Sequence, residues 1–251
     1  MLRLHLHSGR RERVEARKKL VFVIVEGPSD AEALGLLLEQ LFDTNRVYVH
    51  IVYGDITSER GVTARTIRSK LGQILRFYMR SNHLSPQHFQ EIIHLVDTDG
   101  VYIPNCNVVE DKNAQHPWYS AWEIRTANRE SIIDRNLTKS GCLNKISETP
   151  TICNIPYQVY YMSCNLDHVL YNVLNATDEE KERYSLAFAK KFKTDFLGFI
   201  KFISESKFSI NKGYLDSWDF IKQDCHSLER YTNLGICIAR ARNNQIANIT
   251  S

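Results

Sequence analysis

The sequence predicts an α/β protein: a buried parallel sheet flanked by helices, followed by a helical C-terminal region. Three observations carry this. Residues 20–25 read LVFVIV, a β-branched and aromatic run too short for a helix and apolar on both faces, as strands of parallel sheets are. That run breaks at Glu26-Gly27-Pro28-Ser29-Asp30 directly into helical periodicity. Further apolar runs then alternate with amphipathic stretches until about residue 178, after which only helical spacing remains.

Each element follows from local chemistry. After the first strand, Ser29 and Glu32 have capping-box spacing, and Leu34, Leu37, Leu38 and Leu41 supply the inner side of a helix ending near Phe42. Residues 46–53 read as a second strand and 54–61 as a polar loop. A second helix is expected over 62–80, where Ile67, Leu71, Ile74, Leu75 and Tyr78 fall within roughly a 100° arc. Arg65, Arg68, Arg76 and Arg80 lie on a different face, either as a solvated surface or as a track for nucleic-acid phosphates. The third strand, 92–96, ends in Asp97-Thr98-Asp99-Gly100. Residues 101–122 have no clear period and read as a long irregular stretch. A helix over 124–135 and a fourth strand over 157–162 follow, the strand leading into Asp167. In the helical tail, Phe188, Phe192, Phe196, Phe199 and Ile203 form one apolar stripe within 178–206, and two shorter helices are expected over 218–225 and 227–240.

This organisation divides the chain into a basic tail (1–18), an α/β core (19–165) and a helical region (166–251). The 251 residues carry 32 basic and 29 acidic side chains, too even a balance to argue for nucleic acid by itself. The tail is the exception, with Arg3, Arg10, Arg11, Arg13, Arg17, Lys18 and Lys19 against Glu12 and Glu15. No apolar run reaches 18 residues and no signal peptide is read, so no membrane partner is expected. The six cysteines include no C-x-x-C and no zinc-ligand spacing, which points to reduced thiols in a cytoplasmic protein.

Carboxylates mark the candidate site. Glu26 ends the first buried strand, and Asp97 and Asp99 end the third. Strand ends of one kind share one edge of a parallel sheet, where open α/β sheets place their ligands. Carboxylates gathered there repel unless a cation sits among them, and oxygen-only donors select a hard ion, Mg²⁺ or Mn²⁺. Asp97 and Asp99, two apart, would face one side of a strict strand.

The segments VFVIVEGPSDAEALGLLLEQL and EIIHLVDTDG resemble the Toprim domain: a buried strand ending in Glu-Gly, a helix, then a strand ending in Asp-x-Asp. The EG-x-x-D form, Glu26, Gly27 and Asp30, is most like small OLD-type and phage-defence nucleases. The resemblance covers about 19–165 and implies a Rossmann-like sheet and a metal-dependent nuclease acting on DNA or RNA. It implies Glu26, Asp97 and Asp99 as catalytic metal ligands, Asp30 as a further ligand and Asp167 in the place of a later acidic ligand. Glu26 shuttles a proton in some members. Val101 stands where a third alternating aspartate would be, and no tyrosine-bearing cleavage domain or zinc module follows, which sets the chain apart from topoisomerases and primases. No G-x-x-x-x-G-K-[ST] is present, so an ATPase, if a defence system uses one, is a separate partner; a homodimer is left open.

Two rival readings use the same residues. Asp97-Thr98-Asp99-Gly100-Val101 also fits the motif of haloacid-dehalogenase-like phosphatases, with Asp97 as nucleophile and Asp99 as general acid. Alternatively the core is an inactive module that binds nucleic acid or a protein partner. Residues 227–233, with Arg230 as a phosphate contact or an ion-pair residue, have no assigned role.

Overall fold

The computed structural model describes the backbone of residues 18–42 and 47–250, and side chains as far as residue 243. The basic tail expected over 1–18 therefore lies almost wholly outside the described residues. Eight strands and eight helices follow in the order β1 (Lys19–Val25), α1 (Pro28–Leu41), β2 (Val47–Tyr53), α2 (Ile67–Ser81), β3 (Phe89–Asp97), β4 (Val108–Glu110), β5 (Trp118–Tyr119), β6 (Ile124–Thr126), α3 (Arg129–Ser147), β7 (Thr151–Ile152), β8 (Ile155–Met162), α4 (Leu166–Tyr171), α5 (Asp178–Phe192), α6 (Phe196–Glu205), α7 (Tyr214–Ile221) and α8 (Leu234–Thr250).

The main sheet has the order β2-β1-β3-β8-β7. Its first four strands are parallel, and β7 joins β8 as a short antiparallel hairpin. The apolar runs are continuous because both faces are covered. Val21, Val23 and Val25 of β1 enter one core with α1, α5, α6 and α8, while Phe22 and Ile24 enter the other with α2, α3 and α7. The molecule is thus an α/β protein with helices on both sides of a mostly parallel sheet. The aromatic stripe of the C-terminal region is part of the first of these cores: Phe188, Phe192, Phe199 and Ile203 are buried there.

Several boundaries differ from expectation. The first helix is capped by Gly27 and Asp30, not by Ser29 and Glu32: Pro28 opens the helix, and Asp30 Oδ2 accepts the Gly27 N–H at 2.8 Å. The second helix begins at Ile67, leaving Arg65 in the turn before it. The irregular stretch contains β4 and β5. Residues 124–126, expected as helix, pair between them as β6, and α3 starts only at Arg129. Three-residue strands carry no measurable period, so pairing rather than pattern decides them. The 178–206 helix is two helices, broken where Asp195 caps α6 by accepting the Gly198 N–H at 2.9 Å. The expected 218–225 helix is α7, at 214–221.

Residues 227–233 are not helical either; α8 begins at Leu234. They line the free edge of β8. Ser163 N–H donates to Tyr231 O, Asn233 Oδ1 accepts the Tyr161 N–H, and Thr232 Oγ1 donates to Tyr161 O, all within 2.7–2.9 Å. Buried backbone groups at an edge need partners, and this segment provides them in place of another strand. Arg230 donates twice to Val169 O, at 3.0 and 2.7 Å, over the Phe208 ring; it closes the end of α4 and is not placed as a phosphate contact.

Candidate active site

The order β2-β1-β3 puts the chain reversal between β1 and β3, so their carboxyl ends open a crevice there. Glu26 follows β1 and Asp97 ends β3, and the two turns touch: Glu26 Oε1 accepts the Asp97 N–H at 3.1 Å. Asp97 is acted on by Glu26, Asp30 and Asp99, and Glu26 by Asp99, so Glu26, Asp97 and Asp99 lie near one another at this sheet edge with Asp30 beside Asp97. Asp167, in the first turn of α4, adjoins this group through Asp30.

The route to this geometry is a turn, not strand alternation. β3 stops at Asp97, and Asp99 adopts φ +48°, a left-handed conformation uncommon outside glycine. Gly100 follows at φ +68°, where an added Cβ would lie 2.4 Å from Leu228 Cδ2, so no side chain fits. The strain is held from outside. Thr98 is fully buried, donates to Ser227 O at 2.8 Å and accepts the Cys164 N–H at 2.9 Å, while Asp99 N–H donates to Cys164 O at 2.8 Å. The 227–233 segment thus secures the Asp-Thr-Asp turn as well as the sheet edge.

Two site residues escaped the sequence reading. Lys139 of α3 is 1 % exposed, and its ammonium lies 2.5 Å from Asp99 Oδ2, 3.4 Å from Glu26 Oε1 and 4.0 Å from Asp55 Oδ1. Asp55 follows β2 and is the third carboxylate set beyond a parallel strand; Thr57 donates to it at 3.1 Å. Both had a signal. Asp55 obeys the same strand-end rule as Glu26 and Asp97. Lys139 interrupts the inward stripe Ile132, Asn136, Leu143 and Ile146 of α3, where a lysine is out of place unless paired.

The cluster is electrostatically divided. Burial pushes the Glu26 carboxyl up to about 8, with Lys139 opposing and Asp55 and Asp99 adding to the rise. Burial and then Glu26 hold Asp97 well above the usual carboxylate range. Asp30 is raised by burial, and Asp167 is raised to about 6 by burial, both only partly offset by Lys181. Asp55 is held low by Lys139 against its burial. Burial alone would lower the Lys139 pKa, but Asp99, Glu26 and Asp55 outweigh it, and the ammonium keeps its proton. Lys139 therefore pairs with Glu26, Asp55 and Asp99 and acts more weakly on Asp97, whereas Asp30 and Asp167 are opposed by Lys181.

The donors are all carboxylate oxygens, the set a hard divalent ion takes. Among the described residues, no three acidic, histidine or cysteine side chains already converge as a metal cage. The residue types suit such an ion, with Asp30 the carboxylate that adjoins both Asp97 and Asp167.

The four arginines are all exposed. Helix α2 returns antiparallel to the sheet, so its start lies at the carboxyl edge and Arg80 about 18 Å further along, at 1.5 Å per residue. Arg76 donates to Cys153 Sγ at 3.4 Å. All six cysteines are free thiols. Among the described residues no helix is long and apolar enough to cross a membrane. Comparison with protein-family models, with curated proteins and with solved structures returned no match to this chain.

Proposed function

We propose that the protein is a metal-dependent nuclease that hydrolyses phosphodiester bonds in DNA or RNA. The observation that carries this reading is the gathering of Glu26, Asp97 and Asp99, with Asp30 beside Asp97, at the switch point of a parallel sheet. Mg²⁺ or Mn²⁺ bound there supplies Lewis-acid polarisation of a phosphodiester and a nucleophilic hydroxide. Asp97, Asp30 and Asp167, with Glu26 at their border, are the residues that would hold it. Glu26, raised to about 8, is matched to proton transfer near neutral pH. Lys139 positions Asp99 and Glu26. The Toprim resemblance of the same residues supports the reading, and with it a role in phage defence beside a separate ATPase and a cytoplasmic location.

The phosphatase reading gains a downstream lysine in Lys139, but that ammonium contacts Asp99, Glu26 and Asp55 rather than Asp97. The test is incubation of purified protein with Mg²⁺ or Mn²⁺ and a panel of DNA, ribosomal RNA and tRNA, beside Glu26→Gln. Cleavage by the wild type alone supports the nuclease. Hydrolysis of small phosphomonoesters, with beryllofluoride trapped on Asp97, would replace it with the phosphatase. Binding without turnover would leave the inactive module.

A further inference from the structure

The protein contains three tryptophans, and their surroundings differ sharply. Trp218 is 1 % exposed in the core, whereas Trp118 and Trp122, four residues apart, are 59 % and 64 % exposed. Trp118 belongs to the small sheet β4-β6-β5. That sheet has one apolar face: Ile124 and Val108 are buried, and Tyr119, opposite Ile124, packs with them. Trp118 pairs across from Arg125 on the other face. The indole and the guanidinium therefore stand side by side where a strand normally shows only polar residues.

That face lines a groove of about 710 Å³, within the ~300–1,000 Å³ usual for ligand sites. The groove is built rather than incidental. Asn175 clamps β5 from the α4–α5 connection, accepting the Tyr119 N–H and donating to Tyr119 O, each at 2.8 Å. It also shares a lysine with the surroundings of the acidic cluster. Lys181 lines it and acts electrostatically on both Asp30 and Asp167. On the other side, Arg135 donates to Tyr119 Oη at 2.6 Å and to Asp99 O at 2.8 Å, tying β5 to the catalytic turn. Cationic side chains and an exposed indole are the elements of a single-strand-binding groove.

We propose that this groove holds a single-stranded segment of the nucleic-acid substrate, with one unpaired base stacked on Trp118 and neighbouring phosphates met by Arg125 and Lys181. Within a duplex both faces of each base are covered by its neighbours, so an indole can stack only on a base that is unpaired. Arg125 Nε donates to Glu123 Oε1 at 2.6 Å, an ion pair at the groove's surface. The inference deepens the nuclease reading and rests on its choice of nucleic acid as substrate, but not on turnover.

The experiment measures binding in EDTA, so that cleavage plays no part. Fluorescein-labelled dT and U 12-mers, and a 12-base-pair duplex, are titrated by anisotropy against the wild type, Trp118→Ala, Trp118→Phe and Arg125→Ala. The expected result is tighter binding of a single strand than of the duplex. Trp118→Ala should weaken the single strand about tenfold or more, as loss of one base–aromatic stack does. Trp118→Phe should retain most of the affinity, and neither variant should alter duplex binding. Equal binding of single strand and duplex by the wild type, binding of neither, or an unaltered Trp118→Ala would each overturn the proposal. Single-strand binding with these sensitivities but no cleavage in Mg²⁺ or Mn²⁺ would remove the nuclease and leave the groove. Cleavage unaffected by Trp118→Ala would remove the groove and leave the nuclease.

Discussion

The two halves of the carboxylate cluster solve the same problem differently. On one side Lys139, buried and fully paired, sits among Glu26, Asp99 and Asp55. On the other, burial raises Asp97, Asp30 and Asp167 in pKa, opposed by Lys181 at Asp30 and Asp167 and only distantly by Lys139 at Asp97. A protein gains little stability from crowding three carboxylates with so little compensation. The first half is arranged by the fold for itself; the second is arranged for something that is added.

The largest effect should separate chemistry from structure. Glu26→Gln keeps an oxygen for the Asp97 N–H but loses the charge. Cleavage should fall by about 10²–10⁴-fold with the melting temperature little altered. Full activity of Glu26→Gln in both Mg²⁺ and Mn²⁺ would end the nuclease reading.

Next comes the self-neutralised half. Lys139→Met removes one partner of a buried network and should destabilise the metal-free protein by about 3–5 kcal/mol in urea denaturation. A loss below about 1 kcal/mol would mean that Glu26 is already protonated and the lysine counts for little. The open half should respond in the opposite manner. Mn²⁺ should raise the melting temperature of the wild type, and Asp97→Asn or Asp30→Asn should reduce that rise. An identical rise in all three proteins would place the ion elsewhere.

A smaller effect concerns acid. His94 on β3 is fully buried, with Nδ1 2.8 Å from Tyr157 Oη and Nε2 without a hydrogen-bond partner, and burial lowers its pKa to about 3. The unfolded chain takes up a proton near pH 6.5, the folded one only near 3. Between those values the unfolded state binds more protons, so stability falls as pH falls, by up to about 1.4 kcal/mol per pH unit. His94→Gln should flatten that slope in denaturation series between about pH 6.5 and 4. The smallest effect is at the surface. Neutralising Arg65 and Arg68 should reduce the salt dependence of nucleic-acid binding by roughly one unit of slope per contact. Arg80, about 18 Å along α2 by its rise per residue, should leave the slope unaltered.

The strands, their burial on both faces and the three carboxylates Glu26, Asp97 and Asp99 were legible because each depends on local information. A run such as VFVIV has one sensible environment, and in a parallel sheet the ends of such runs must share an edge. Helix ends were less legible. The cap of α1 went to Gly27 and Asp30 because Pro28 fits the first helical position, a local rule outcompeting another local rule.

What the sequence by itself determined is the sheet, the sides of its helices and the acidic edge, since periodicity and turn chemistry act between near neighbours. Only the tertiary structure decided which charges compensate which. Lys139 lies 113 residues from Glu26 and 40 from Asp99, and no pattern within α3 states that distance will be closed. The same holds for β6, which exists because β4 and β5 flank it, and for Ser227–Asn233, whose polar residues make sense only against the bare edge of β8. Trp118 is the remaining case: its exposure follows from the face that Ile124 and Tyr119 turn to the core. Hydrogen bonds and ion pairs formed across such separations depend on where the backbone arrives, and that is settled by packing of the whole chain.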